Sequence, residues 1–265
     1  MDAAQLDLVN AERRSWWFRT LRLAAVLVVV VAAAWATGLL DLRRLSEGVP
    51  GLARLLGEML PPDFTNWSSW VKPLFQTLAM SIAGTALAVG FSAVIGFLAA
   101  RTTTPHPLVY VVARGLLNLL RSVPELILGI VFVAAVGFGA LPGVLALGLH
   151  SIGMVGKFFA ESIEHADPGP VEAVRSAGAH PFQVVTHGVL PQVLPQMMDT
   201  VFYRWEYNFR ASTVMGMVGA GGIGFELMGS LRIMQYQEVA AILIVILAMV
   251  TLVDATGARL RRAFQ

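Results

Sequence analysis

Runs of about twenty apolar residues recur along this chain, and that repetition commits it to a lipid solvent. They stand at roughly 21–40, 73–100, 107–137, 143–164, 191–216 and 237–259. About 20 such residues at about 1.5 Å each cross the hydrocarbon core of a bilayer. A soluble fold has too little interior to hide a chain that is 56% hydrophobic and only 14% charged. The reading is an all-α, polytopic membrane protein with about six transmembrane helices. The third run is expected to start as an interfacial helix carrying Arg114 and Arg121.

Charge sets the expected orientation. Arg13, Arg14, Arg19 and Arg22 stand at the start of the first run, and Arg259, Arg261 and Arg262 follow the last. An even number of spans brings both basic ends to one side, which the positive-inside rule makes cytoplasmic. Trp16 and Trp17 would then sit at the interface. The loop 41–72 balances Arg43, Arg44, Arg54 and Lys72 against Asp41, Glu47, Glu58 and Asp63, and gives no contrary bias. The expected location is a bacterial inner membrane with both termini cytoplasmic. A net charge of +2 and a pI near 9.3 call for no nucleic acid, because membrane proteins gather basic residues at the cytoplasmic face anyway. The absence of cysteine excludes disulfides, thiolate catalysis and Cys-type metal sites. The first apolar run lacks a convincing small-residue cleavage site and reads as a span, not a cleaved signal. The chain is expected to divide into an N-terminal segment, first span and outer loop (1–72) and a core (73–265).

In the outer loop, Leu52, Leu55, Leu56, Met59 and Leu60 recur at helical spacing, with Pro50 at a plausible first position. This is either a short helix lying on the membrane surface or a platform for an extracytoplasmic partner.

Between the fourth and fifth runs stands DPGPVEAVRSAGAHPFQVVTHGVLP, residues 167–191. Asp167 is a good N-cap, Pro168 suits the first helical turn, and Gly178 can take the left-handed conformation that ends the helix. A second short helix can start at Pro181 and turn into the fifth span near Pro191. The result is a cytoplasmic helix–turn–helix knuckle with Glu172, Ala173 and Arg175 near its tip. Such a knuckle suits mechanical coupling, because a rigid protrusion lets another protein grip and move the spans.

Glu172-Ala173, then Gly178, then Leu190-Pro191 resembles the EAA motif of binding-protein-dependent ABC importer permeases, E-A-A-x3-G-x9-I-x-L-P. Val174 stands where the second Ala is usual, and Gly188 where Ile is usual. The segments LLNLLRSVPELILGIVFVAAVGFG, GLHSIGMVGKFFAESIEHADPGPVEA, YRWEYNFRASTVMGMVGAGGIGFEL and the final RLRR are similar to the phosphonate importer permeases, as is PPDF after the amphipathic segment. Methionine-type permeases share the knuckle and the Gly-rich segment but typically lack the extended first span and YNFRAST. The resemblance implies a type I ABC importer permease for phosphonates or related phosphorus oxyanions (phosphite, hypophosphite), with a methionine-type importer as the runner-up. It implies that the segment 167–190 is a coupling helix, with Glu172, Ala173, Arg175, Gly178, Leu190 and Pro191 meeting the ATPase. The implied partners are two copies of an ABC ATPase, a periplasmic or lipoprotein substrate-binding protein, a second copy of this chain and membrane lipid. No cofactor is expected on this chain, ATP and Mg being held by the ATPase.

Two tempting motifs fail. Gly219 to Gly224 satisfies G-x-G-x-x-G, but an apolar span precedes it where a dinucleotide fold needs a strand. These glycines fit close helix packing or an outer-gate turn better. SIGMVGKFF is not a P-loop, because Ser151 holds the first Gly position and Phe158 the Ser/Thr position. No H-E-x-x-H or i, i+4 histidine pair points to a metal.

Ionisable residues at membrane depth are costly and therefore functional suspects. Lys157 and Glu161, and likewise Glu206 and Arg210, stand four apart, so each pair is expected to neutralise itself on one helix face. An oxyanion crossing the membrane still needs a positive or hydrogen-bonding lining. The candidates for that path are Tyr203, Glu206, Tyr207, Asn208 and Arg210 in the fifth span and His150 and Ser151 in the fourth, although a lone His there also suits a helix–helix hydrogen bond. A competing class is a secondary transporter with Glu206, Asp254 and Glu161 as ion-coupling groups. It would show internal repeats and broken helices, and no convincing repeat is present.

Overall fold

The computed structural model describes residues 3–264, with side chains described from residue 16 onward. Arg13 and Arg14 thus lie outside the described side chains. Among the described residues the regular structure is helical throughout. Among the described residues four helices are long and apolar enough to cross a membrane, and counting each of two bent pairs as one span brings the number to six. The chain divides into two compact units, one ending at Glu58 and one starting at Met59.

The first unit holds α1 (Ala3–Ala36) and α2 (Leu42–Glu58). The apolar stretch Trp16–Ala36 is 21 residues long, which at about 1.5 Å per residue spans a hydrocarbon core. Trp16 and Trp17 are exposed at its start. Helix α2 begins two turns before Pro50, so Pro50 lies inside the helix and does not open it. Asp41 explains the early start. Its carboxylate accepts from the Arg44 N–H at 3.2 Å and its carbonyl accepts from the Leu45 N–H at 3.1 Å. Leu42, Leu45, Val49, Leu52 and Leu56 recur along one exposed face of α2, as an interfacial helix requires.

The second unit is built on α3 (Trp67–Ala99) and α6 (Ala140–Glu164). The Thr65 hydroxyl and N–H both donate to Asp63 as the chain turns toward α3, and this holds the Asp63 carboxyl below its ordinary pKa. Small residues let the two long helices close on each other. A Cβ on Gly84 would lie 3.1 Å from the Leu147 Cβ, and one on Gly96 only 2.9 Å from the Phe159 Cβ. Lipid tails give apolar helices no hydrophobic reason to associate, so such close packing does that work instead.

The third apolar run is not one helix. α4 (Pro107–Ser122) and α5 (Glu125–Val136) meet at 84°. Pro124 lacks an N–H and drives Val123 into an extended conformation (φ −89°, ψ 120°). α4 crosses α6 at Gly153, where a Cβ would lie 2.6 Å from the Arg121 nitrogen. The fifth run holds as one helix, and the bend comes just after it. α9 (Leu190–Met215) leads through a π-helical turn (Gly216–Ala220) into α10 (Ile223–Arg232), bent by 58°. Gly219, Gly221 and Gly222 all have positive φ here, and a Cβ on Gly224 would overlap the Thr213 carbonyl. The Gly-rich segment therefore makes a turn and a close helix contact, as its sequence suggested. α11 (Tyr236–Phe264) closes the unit. Its first turn is tied to the start of α3 by the Asp63 N–H on the Gln237 carbonyl and the Asn66 amide on Glu238.

Candidate functional site

Two places gather the residues that the sequence singled out. The first is the knuckle between α6 and α9. Asp167 accepts from the Gly169 N–H at 2.9 Å and caps α7 (Pro168–Ser176), with Pro168 in its first turn. Gly178 ends the turn at φ +81°, its N–H donating to the Arg175 carbonyl at 3.0 Å. The second helix is only one turn, α8 (Pro181–Gln183), and runs through a π-helical stretch (Val184–Val189) directly into α9. Gln192 locks the root: its amide donates to the carbonyls of Asp167 at 3.2 Å and Gly188 at 2.5 Å, and its oxygen accepts from the Asp167 N–H at 2.9 Å.

Glu172, Ala173, Arg175 and Gly178 are exposed on the protrusion. Leu190 and Pro191 are not at its tip. Pro191 occupies the first turn of α9, and Leu190 packs against the buried core around Phe159 and Val193. Gly188, an outlier against the motif, has a physical reason: a Cβ there would lie 3.1 Å from the Val171 Cα, so glycine lets α7 rest on the π-helical stretch. A cleft of about 530 Å³ remains beside α7, lined by Thr102, Thr103, Val171, Glu172, Arg175 and Val185 among others.

At the root of the knuckle, Glu164 joins three helices. It accepts from the Arg101 N–H at 2.9 Å and pairs with Arg114 at 2.9 Å, whose Nε donates to the Ala99 carbonyl at 2.8 Å. Tyr110 lies 5.4 Å from both the Arg101 and Arg114 guanidinium carbons. A double-mutant cycle of Glu164→Gln with Arg114→Gln is expected to give a coupling energy of about 1 kcal/mol, since the pair is mostly shielded but not dry. Thermal unfolding in detergent measures it, and a coupling indistinguishable from zero would remove the pair from the root of the knuckle.

The second place lies inside the bundle, where α9 sorts its polar residues onto three faces. Toward α3 and α6, the Arg204 Nε donates to the Ser151 hydroxyl at 2.8 Å, Ser151 donates to Asn208 at 3.0 Å, and the Asn208 amide donates to Thr85 at 2.9 Å. Trp205 donates to Ser81 at 3.2 Å. Toward α11, Glu206 is 7% exposed and accepts from Arg261 at 2.6 Å. Gly257 makes the room, for a Cβ there would overlap the Glu206 carboxylate. On the open face stand Tyr203, Tyr207 and Arg210 at one- to two-turn intervals.

This sorting corrects the expected Glu206–Arg210 pair. Arg210 is paired with Asp254 at 3.1 Å, and Glu206 with Arg261. The i, i+4 spacing allows a contact, but α11 lies alongside α9 and offers each residue a partner of opposite charge. Lys157 and Glu161 do pair as expected, at 3.5 Å. His150 serves a helix contact: its Nδ1 donates to the Val123 carbonyl at the α4–α5 break, 3.0 Å away.

Sequence reasoning missed Glu125. Its carboxylate accepts from the Tyr207 hydroxyl at 2.6 Å and lies 3.5 Å from the His150 Nε2. The available signal was plain: Glu125 is the sole acidic residue in the run 107–137. Glu125, Leu126, Tyr207, Arg210, Ala211 and Val214 line an open groove of about 260 Å³ between α5 and α9. The groove thus carries charge on both walls, a chemistry suited to guiding a small ion and wasteful on a surface facing lipid.

Three comparisons bear on this arrangement. Residues 92–265 match the family described as binding-protein-dependent transport system inner membrane component. The chain is 70% identical over 250 residues to the phosphite transport system permease protein PtxC of Stutzerimonas stutzeri, covering 94% of this chain and 91% of that one. It is 43% identical over 232 residues to the phosphate-import permease protein PhnE of Mycolicibacterium smegmatis, covering 88% of this chain and 43% of that one. Among solved structures, an inward-facing conformation of the MetNI methionine ABC transporter matches with a TM-score of 0.65 at 23% identity, covering 74% of this chain and 96% of that one. At that identity the likeness concerns the fold alone.

Proposed function

This chain belongs to the family of binding-protein-dependent transport system inner membrane components, and from that premise we propose that it carries phosphorus oxyanions, phosphite foremost, for an ATP-driven importer. The chain is the permease subunit of such an importer. The observation that carries the substrate is the 70% identity, over nearly the whole chain, to a relative named for phosphite transport. Phosphonate and hypophosphite share the tetrahedral phosphorus centre and belong to the same class.

Glu172, Ala173, Arg175 and Gly178 form the handle that the partner ATPase grips, with Leu190 and Pro191 fixing its root to α9. Two copies of this chain enclose the path and present one handle to each of two ATPase subunits. The exposed Arg210–Asp254 pair supports that arrangement, because charges at membrane depth seek a protein or aqueous neighbour. ATP and Mg belong to the ATPase, in keeping with SIGMVGKFF departing from the P-loop pattern at Ser151 and Phe158, and an extracytoplasmic binding protein delivers substrate. The knuckle and the Arg259–Arg262 end of α11 face the cytoplasm, in keeping with the positive-inside rule.

The test is uptake into proteoliposomes holding the permease, its ATPase and its binding protein. ATP-dependent accumulation of phosphite is expected, with no ATP hydrolysis by the permease alone. Accumulation of methionine in place of phosphite would install the methionine-type reading. Uptake driven by a proton gradient through the isolated chain would return the ion-coupled class.

A further inference from the structure

Arg204 is 4% exposed, and its charge has no carboxylate within ion-pair distance among the described residues. Its Nε is satisfied by the Ser151 hydroxyl, while its Nη2 is buried without a hydrogen-bond partner. The guanidinium carbon sits 4.2 Å from the centroid of the Tyr207 ring. Tyr207 in turn lines the groove between α5 and α9. One aromatic ring therefore separates an unpaired buried cation from the groove, and that ring is fastened by its hydroxyl to Glu125.

We propose that Arg204, Tyr207 and Glu125 form a latched oxyanion subsite inside the permease, which takes a tetrahedral phosphorus oxyanion during transit. The proposal rests on the transport reading and deepens it by naming where the permease itself touches substrate. With the latch closed, Tyr207 covers Arg204, and Glu125 supplies a negative neighbour across the ring. When the helices shift and the Tyr207–Glu125 hydrogen bond parts, the free Nη2 donates to an anion arriving along the groove. Arg210 on the groove wall keeps its charge shared with Asp254, so the attraction at the end of the groove falls to Arg204. Glu125 then competes with the bound anion, and this competition keeps the subsite weak. Weakness is needed, because a transport site must release what it admits.

The sign of two substitutions separates this subsite from a merely structural network. In a structural network, Arg204→Met and Glu125→Gln each remove a supporting contact and both reduce function. In the subsite, Arg204→Met removes the donor, whereas Glu125→Gln removes a like charge beside the anion. Removing such repulsion is expected to tighten binding by about tenfold or more, while release and uptake become slower.

The measurement is equilibrium binding of labelled phosphite to the purified permease–ATPase complex without binding protein, run beside proteoliposome uptake of the full transporter. The expected results are weak saturable binding in the wild type, at least about tenfold tighter binding in Glu125→Gln, and none in Arg204→Met. Should Arg204→Met fail to assemble, the Glu125→Gln arm decides alone. Unchanged or weaker binding in Glu125→Gln overturns the subsite. Wild-type phosphite uptake without saturable binding in either wild type or Glu125→Gln overturns the subsite and leaves the transport reading standing. Absence of wild-type phosphite uptake overturns both.

Discussion

Gly178→Val is expected to abolish co-purification of the partner ATPase while the chain remains inserted in the membrane. The cause is conformational. A Cβ at this position meets nothing within 4 Å, but the residue holds φ +81°, which a β-branched side chain adopts at a cost of about 1–3 kcal/mol. The turn relaxes by re-aiming α7, and the protrusion no longer presents Glu172 and Arg175 together. Gly178→Asn should keep most of the association, because asparagine tolerates the left-handed region. Glu172→Lys tests the same surface by charge alone: the side chain is exposed, so the fold is untouched while the grip is reversed. Pull-down of the ATPase from solubilised membranes reads all three. Wild-type recovery with both Gly178→Val and Glu172→Lys would remove α7 from the interface.

Arg261→Met is expected to destabilise the permease by about 3–5 kcal/mol, the range for stranding one member of a buried ion pair. The Glu206 side chain is only 8% exposed, and its 2.6 Å contact with Arg261 joins the middle of α9 to the end of α11. The double variant Glu206→Gln with Arg261→Gln should recover most of the loss, because no buried charge is left uncompensated: Asp199, which Arg261 also meets at 3.7 Å, is about half exposed. Gly257→Ala should fail in the same direction, since its methyl group overlaps the Glu206 carboxylate. A double-mutant cycle between Glu206 and Arg210 should show little coupling, because their partners are Arg261 and Asp254. Thermal unfolding of the detergent-solubilised chain, followed by tryptophan fluorescence, gives these quantities. Strong coupling of Glu206 to Arg210 and none to Arg261 would reverse the assignment of partners.

The knuckle was legible almost residue by residue, from Asp167 at its start to the left-handed Gly178 at its end. The polar layer inside the bundle was legible only as a roster. Tyr203, Tyr207 and Arg210 reach the open face together, but Glu206 turns to α11, and Ser151 and Asn208 are spent on the interior. Glu125 escaped notice because its partners, Tyr207 and His150, lie on other helices. A similar gap explains Gly188. Against the motif it read as a departure, and only the height of Val171 above it makes glycine the fitting residue.

The sequence by itself determined where apolar runs long enough for lipid stand, which ends carry the positive charge, how the knuckle is capped and that the glycine-rich segment after the fifth run turns or packs closely. Each of these depends on residues within a turn or a bilayer's thickness of one another, so local pattern suffices. Only the tertiary structure decided which charges meet between helices. Arg210 finds Asp254 across 44 positions, and Asn208 finds Thr85 across 123. Helical spacing permits a nearby pair, but in a bundle the closest opposite charge belongs to whichever helix packs alongside. That choice is made by small residues such as Gly257 and Gly153, which set how near two helices come, and their effect appears only once both helices are in place.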